Sequence, residues 1–177
     1  MKVYLSYLLD EQSVVWPGEP TVQIRQTTTI AQDGYNSFQA TLPNHHGTHM
    51  DGPKHFNPDG PSLMELPIEY FCFDHVAAID VPKNKGEGVT REDLQAWEPE
   101  IRKADLLLIK TGFCLQRDTQ PRVYESEGPY LTPEACQYLV ETFPDLRAIG
   151  LDFLSVGTPA NRLSRSAHQI LFGCHNG

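Results

Sequence analysis

The alternation of apolar and polar residues divides the chain into short strands, with helices mostly in its second half. Val3 to Leu8 alternates loosely and is rich in β-formers, so a strand is expected almost from Met1. Asp10 to Pro20 breaks the pattern, with Pro17-Gly18 supplying turn chemistry. Val22 to Ile30 reads as a second strand, polar on one face, where three consecutive threonines suit a pleated surface. Asp33-Gly34 then predicts a turn, and a hairpin to a strand over Ser37 to Leu42. Asn57 to Pro61 is too rich in Pro and Gly for a helix, and Leu63 to Phe73 has room for one short helix or turn.

Beyond that point the runs change character. His75 to Val81 predicts a buried strand, with His75 itself a satisfied core or edge histidine. Thr90 with Asp93 resembles a capping box that opens a helix to about Trp97. Asp105 to Thr111 is the most continuous apolar run and predicts a strand covered on both faces, ended by Gly112. Arg117 to Pro129 is polar and reads as an irregular, mobile loop near a pocket. Thr132-Pro133-Glu134 starts a helix that runs to about Phe143, with Cys136, Leu139, Val140 and Phe143 on one side. Arg147 to Asp152 predicts another short buried strand, leading to Ser155 in a loop, and Ser166 to Phe172 reads as a helix that carries His168. Early antiparallel pairing followed by helix-connected strands implies an α/β fold, and 177 residues without repeats or linkers imply one domain over 1–177.

Charge and cysteine content narrow the functional classes. A net charge of −9 argues against nonspecific nucleic-acid binding, which needs a basic surface. No apolar run approaches the ~20 residues that span a bilayer, so no membrane partner is expected. Cys72, Cys114, Cys136 and Cys174 are widely spaced and form no Cys-x-x-Cys pair. With no signal peptide at the N-terminus, they read as reduced thiols in a cytoplasmic protein.

The chemistry concentrates in one stretch. Four of the seven histidines (His45, His46, His49 and His55) fall within positions 45–55, with Asp51 among them. Imidazole and carboxylate are metal ligands, and the density points to a divalent ion held by His45, His49 and Asp51. The alternative is a polar turn that happens to be rich in histidine. On a straight strand, residues four apart lie ~13 Å apart, too far for one ion with bonds of ~2.0–2.1 Å. A sharp bend is therefore required: Gly47 permits it, while Gly52 and Pro53 stop any helix from continuing. His55 closes the stretch, either as a ligand to a second ion, as a general acid/base, or as a hydrogen-bonding support for a ligand. Nucleophile elbows, Walker loops, His-Glu-x-x-His helices and dinucleotide fingerprints are absent, and nothing near Ser155 or the cysteines in sequence would activate them.

The run His-x-Gly-Thr-His-x-Asp-x-Pro-x-His, filled here by His45, Gly47, Thr48, His49, Asp51, Pro53 and His55, resembles the signature of the cyclase/kynurenine formamidase family of metal-dependent hydrolases. Weaker similarities flank it at Trp16-Pro17-Gly18, Ala104-Asp105 to Thr111-Gly112-Phe113, and Gly150-Leu151-Asp152 with Ser155. The resemblance implies a mixed sheet curled toward a barrel with helices outside. It further implies hydrolysis of small amides, formamides or lactams, with zinc or manganese as one or two ions. In some members two metals are bound, which would have Asp51 bridging and His168 on the second ion. The resemblance places Trp16 near the substrate pocket, whereas the residue alone reads more readily as a core anchor. Relatives are oligomeric, so a homodimer or higher oligomer is expected. They also carry an acidic ligand a short way beyond the position of His168, which this sequence does not reach, so either the sequence is a truncated piece, as the look of Gly173 to Gly177 suggests, or the second site is built differently. Two other readings remain open at this point: a small-molecule or metal-binding protein that retains the site without turnover, and a closed structural metal site.

Overall fold

The computed structural model of the protein describes residues 4–173. Its chain forms two compact units, residues 1–51 and 52–177.

The first unit is built on a hairpin. Strand β1 (Gln23–Thr28) pairs antiparallel with β2 (Ser37–Thr41), in register from Gln23 opposite Thr41 to Gln26 opposite Phe38, with a slip before Thr28. The connection is one helical turn, α1 (Ile30–Asp33), so Ile30 leaves the strand in which its side chain had placed it. A reciprocal cap explains this: the Gln32 N–H donates to Thr29 Oγ1 at 3.3 Å, and the Thr29 N–H donates to the Asp33 carboxylate at 2.9 Å. Upstream, the Glu19 N–H donates to the Trp16 carbonyl at 3.0 Å and closes the Pro17-Gly18 turn. The strand expected at Val3 to Leu8 is not formed: Val3 lies outside the described residues, and residues 4–8 carry no regular structure. Alternation makes a strand only where a neighbour completes the hydrogen-bond ladder, and this segment has none.

The second unit is α/β. Its strands and helices are β3 (Val76–Asp80), β4 (Gly88–Val89), α2 (Arg91–Gln95), α3 (Glu98–Ile101), β5 (Leu106–Lys110), α4 (Gln116–Thr119), α5 (Pro121–Ser126), β6 (Tyr130–Leu131), α6 (Pro133–Thr142), β7 (Ala148–Leu151) and α7 (Ser164–Leu171). The main sheet runs β3-β5-β7, all parallel, and β4 pairs with β6 in a parallel two-residue ladder. Both antiparallel and parallel pairings are thus present, but in three separate sheets, and the described strands close no barrel. Thr90 and Asp93 form the expected capping box. Proline at the start of α6 and the Thr132 hydroxyl, which accepts from the Ala135 N–H at 3.1 Å, begin that helix as the sequence predicts.

The core collects on one face of β5. Leu107 and Ile109 are buried with Ile79 of β3, while Leu108 on the other face is 38 % exposed. Coverage of β5 on both faces, the expectation from its apolar run, is therefore partial. Helix α6 packs against α2 and α7 and contributes Ala135, Cys136, Tyr138 and Leu139 to the interior. Val140, expected on that inner side, stays exposed, because the buried face includes Ala135 and Tyr138 instead. Arg117 to Pro129 is also more ordered than its polarity suggests. Pro121 opens α5 instead of breaking the chain, since the first helical position needs no N–H donor.

Two carboxylates hold the ends of β5. Asp105 accepts from the Asp74 and His75 N–H groups, each at 3.0 Å, and from Arg147 Nη2 at 2.9 Å. The same guanidinium donates to the carbonyls of Glu69, Tyr70 and Cys72 and lies over the rings of Tyr70 and Phe73. Partial burial pushes the Asp105 carboxyl up, but the Asp74 N–H, Arg147 and the His75 N–H outweigh it and bring it to about 2. At the other end Asp152 accepts from the Thr111 N–H and hydroxyl and from the Gly112 N–H, at 2.9, 2.6 and 2.8 Å.

Candidate metal centre

The first unit brings the central histidines together at a bend. β2 ends at Thr41, and Gly47 takes φ +63°, a left-handed conformation that turns the chain back. As a result one donor atom from each of His45, His49 and Asp51 lies within 4.8 Å of the others. His49 Nε2 stands 3.3 Å from Asp51 Oδ1, and His45 Nδ1 stands 2.6 Å from the same oxygen.

This donor set fits a divalent ion. Two ligands on a tetrahedral ion with bonds of ~2.0–2.1 Å are about 3.3 Å apart. His49 and Asp51 already have that separation, and His45 needs to open by less than about 1 Å. The His49 ring is oriented by its other nitrogen: Nδ1–H donates to the Gly47 carbonyl at 2.9 Å, which leaves Nε2 facing Asp51. The hydrogen bond to Asp51 raises the His49 pKa, burial works against it, and the Gly47 carbonyl adds to the rise. A metal cation in place of that proton would be held by the same carboxylate.

The second unit holds His55 and His168. His55 ends a single 3₁₀ turn, Pro53–His55, and is exposed. His168 is buried in α7, where its Nδ1–H donates to the Ser164 carbonyl at 2.7 Å. The two imidazoles meet edge to face at 5.5 Å between centroids, and Phe56 stacks on His168 at 4.3 Å. Asn57 Nδ2 donates to the Phe172 carbonyl at 3.0 Å and ties this segment to the end of α7. His49 and His168 thus share one device, a backbone carbonyl that takes the Nδ1 proton and fixes the tautomer.

The remaining candidate residues have surroundings of their own. Trp16 is half-buried beside its turn in the first unit. Burial pushes the Cys136 thiol up to about 12, and burial followed by the nearby Asp152 charge raises that of Cys114, so neither is a thiolate at neutral pH. Cys72 is exposed, and Cys174 lies outside the described residues. His75 sits exposed at the start of β3, its N–H held by Asp105. Sequence reasoning gave no role to Phe56 or Asn57. The i−4 spacing of Ser164 and His168 was the one local sign of the carbonyl that orients His168. His46 is buried, and neither ring nitrogen has a hydrogen-bond partner among the described residues.

Comparison with known proteins bears on this geometry. The Cyclase family model matches residues 3–158. A kynurenine formamidase of Geobacillus thermodenitrificans is 32 % identical over 172 residues, covering 96 % of this chain and 76 % of the relative. An uncharacterized protein of Haemophilus influenzae is 41 % identical over 119 residues, 67 % of this chain and 84 % of that protein. Among solved structures, isatin hydrolase A from Labrenzia aggregata, bound to benzyl benzoate, superposes with a TM-score of 0.77 at 25 % identity, covering 97 % of this chain and 76 % of the other.

Proposed function

The chain belongs to the Cyclase family, and from that premise we propose that it is a metal-dependent hydrolase of a small amide, formamide or lactam. The observation that carries the reading is the convergence of His45, His49 and Asp51 on one point. The kynurenine formamidase relative and the isatin hydrolase neighbour support the substrate class, since formamide and lactam are both non-peptide C–N bonds. Zinc or manganese bound there would polarise a scissile carbonyl and bring the pKa of a water toward ~7.

The chain's own residues do the rest. Asp51 would supply the negative charge that holds the cation, and the Gly47 carbonyl keeps the His49 ring in the tautomer that could ligate it. His55, four residues beyond Asp51, delivers a proton to the departing nitrogen, a transfer worth typically ~10²–10⁴-fold. The family resemblance assigns His168 to a second ion and Trp16 to the substrate pocket. It also supports a homodimer, a sheet curled toward a barrel, and a cytoplasmic protein.

The test is metal analysis of the purified protein, followed by assay of aryl formamides, isatin-like lactams and lactones. His55→Ala should keep its metal and lose at least ~10²-fold in turnover. Loss of metal together with activity would make His55 a ligand. A protein that binds neither zinc nor manganese, or that turns over none of these substrates when loaded, sinks the hydrolase reading.

A further inference from the structure

Two kinds of contact hold the His168 ring, and they fix different freedoms. Within α7 its side chain leans toward the helix start, where Nδ1–H donates to the Ser164 carbonyl at 2.7 Å. A carbonyl only accepts, so this bond places the proton on Nδ1 and leaves Nε2 as the unprotonated nitrogen, the one a metal can take. One hydrogen bond is still a hinge, about which the ring can rock. Phe56 supplies a wall against that motion: its ring stacks on the imidazole at 4.3 Å between centroids, with 18° between the planes. The wall is itself anchored. The Phe56 and Asn57 N–H groups both donate to the Pro53 carbonyl, at 3.3 and 2.9 Å, and the Asn57 side chain donates to the Phe172 carbonyl at the end of α7 at 3.0 Å. Turn and helix cannot slide past one another without breaking that last bond, so the stack keeps its register.

We propose that Phe56 is a positioning residue: the flat face of its ring, and not its bulk, holds the His168 imidazole in the plane and tautomer in which Nε2 can ligate. An aliphatic side chain of similar size would fill the same space but offer no flat face, and the geometry of an aromatic pair contributes beyond the area it buries. The same phenyl ring meets His55 edge to face, at 4.5 Å and 83°, and one nitrogen of His55 lies within 4.8 Å of one of His168. One side chain thus touches both imidazoles of the second unit. The inference rests on the hydrolase reading above only in giving His168 an ion to hold; the hold on the ring is present without one.

Phe56→Leu, which keeps an apolar side chain and removes the ring, and Phe56→Tyr, which keeps the ring, test this beside the wild type. Phe56 is half-buried, so circular dichroism should be unchanged, and Phe56→Met serves the same comparison if the leucine variant does not fold. The first readout is side-chain nitrogen NMR of the metal-free protein at alkaline pH, where the imidazoles are neutral. His168 should show the Nδ1–H tautomer in the wild type, a mixture with Nε2–H in Phe56→Leu, and the wild-type pattern again in Phe56→Tyr. The second readout is zinc titration against a chelator. Phe56→Leu should weaken the ion that His168→Ala loses by ~10–100-fold, the range for groups that orient a ligand, and leave the ion at His45, His49 and Asp51 unchanged. A wild-type tautomer in Phe56→Leu overturns the proposal, as does a Phe56→Tyr that behaves like Phe56→Leu, or an equal weakening of both ions. A wild type that binds no zinc but whose tautomer responds to Phe56→Leu supports the positioning and sinks the hydrolase reading. A zinc-loaded, active Phe56→Leu with unchanged tautomer and affinities does the reverse.

Discussion

Gly47→Ala tests whether the bend is what assembles the metal site. Gly47 sits at φ +63°, and its carbonyl accepts the His49 Nδ1 proton at 2.9 Å. An alanine held in the left-handed region costs about 1–2 kcal/mol. Its methyl group would meet Leu9 Cδ1 at 3.2 Å, but that atom ends a flexible side chain that can give by a few tenths of an ångström. The backbone term therefore dominates. If the bend is already formed without metal, the loss appears in fold stability. If the bend forms on binding, the loss appears in affinity, up to ~30-fold at 1.4 kcal/mol per tenfold. Either way the two losses sum to the same ~1–2 kcal/mol, because unfolded protein and free ion are the common reference. Denaturant unfolding of the metal-free protein and zinc titration against a chelator measure the two parts. Gly47→Asn should lose less than Gly47→Ala, since asparagine tolerates this region. A summed loss below ~0.5 kcal/mol for Gly47→Ala, or an equal loss for Gly47→Asn, would refute the reasoning.

Three further outcomes are expected. His49→Ala should lower zinc affinity at least ~100-fold, since even supporting groups around a metal are worth 10–100-fold, and unchanged stoichiometry by mass spectrometry at limiting metal would remove His49 from the ligand set. Leu107→Ala, at a fully buried position in β5, should cost ~2–5 kcal/mol in urea unfolding, whereas Leu108→Ala on the more open face should cost clearly less, and equal losses would contradict the one-sided core. Asp105→Asn should be less stable than the wild type at neutral pH. Folding lowers this carboxyl to about 2 from an ordinary value of ~3.9, so its contribution is fully present above ~pH 4 and disappears as the pH falls through about 2. Unfolding midpoints of the two proteins should therefore converge between those values, and a gap that persists at pH 2 would assign the effect elsewhere.

The sequence by itself determined the candidate site's ingredients and the local elements whose signals are short in range. The ligand-type residues, the bend at Gly47, the Thr90–Asp93 cap and the start of α6 are all set by residues within a few positions of one another. Their energetics are local, so composition and spacing suffice. Tertiary structure decided what depends on partners far along the chain. Residues 4–8 have a strand's pattern and no strand, because no ladder completes them. Arg117 to Pro129 is polar yet helical, held where Tyr124 is buried and stacks against Phe113. Asp105 and Arg147 are 42 residues apart, Thr111 and Asp152 are 41, and His55 and His168 are more distant still. No local pattern encodes such pairs, because each is worth forming only after the chain has closed the intervening loop and the strands have found their register.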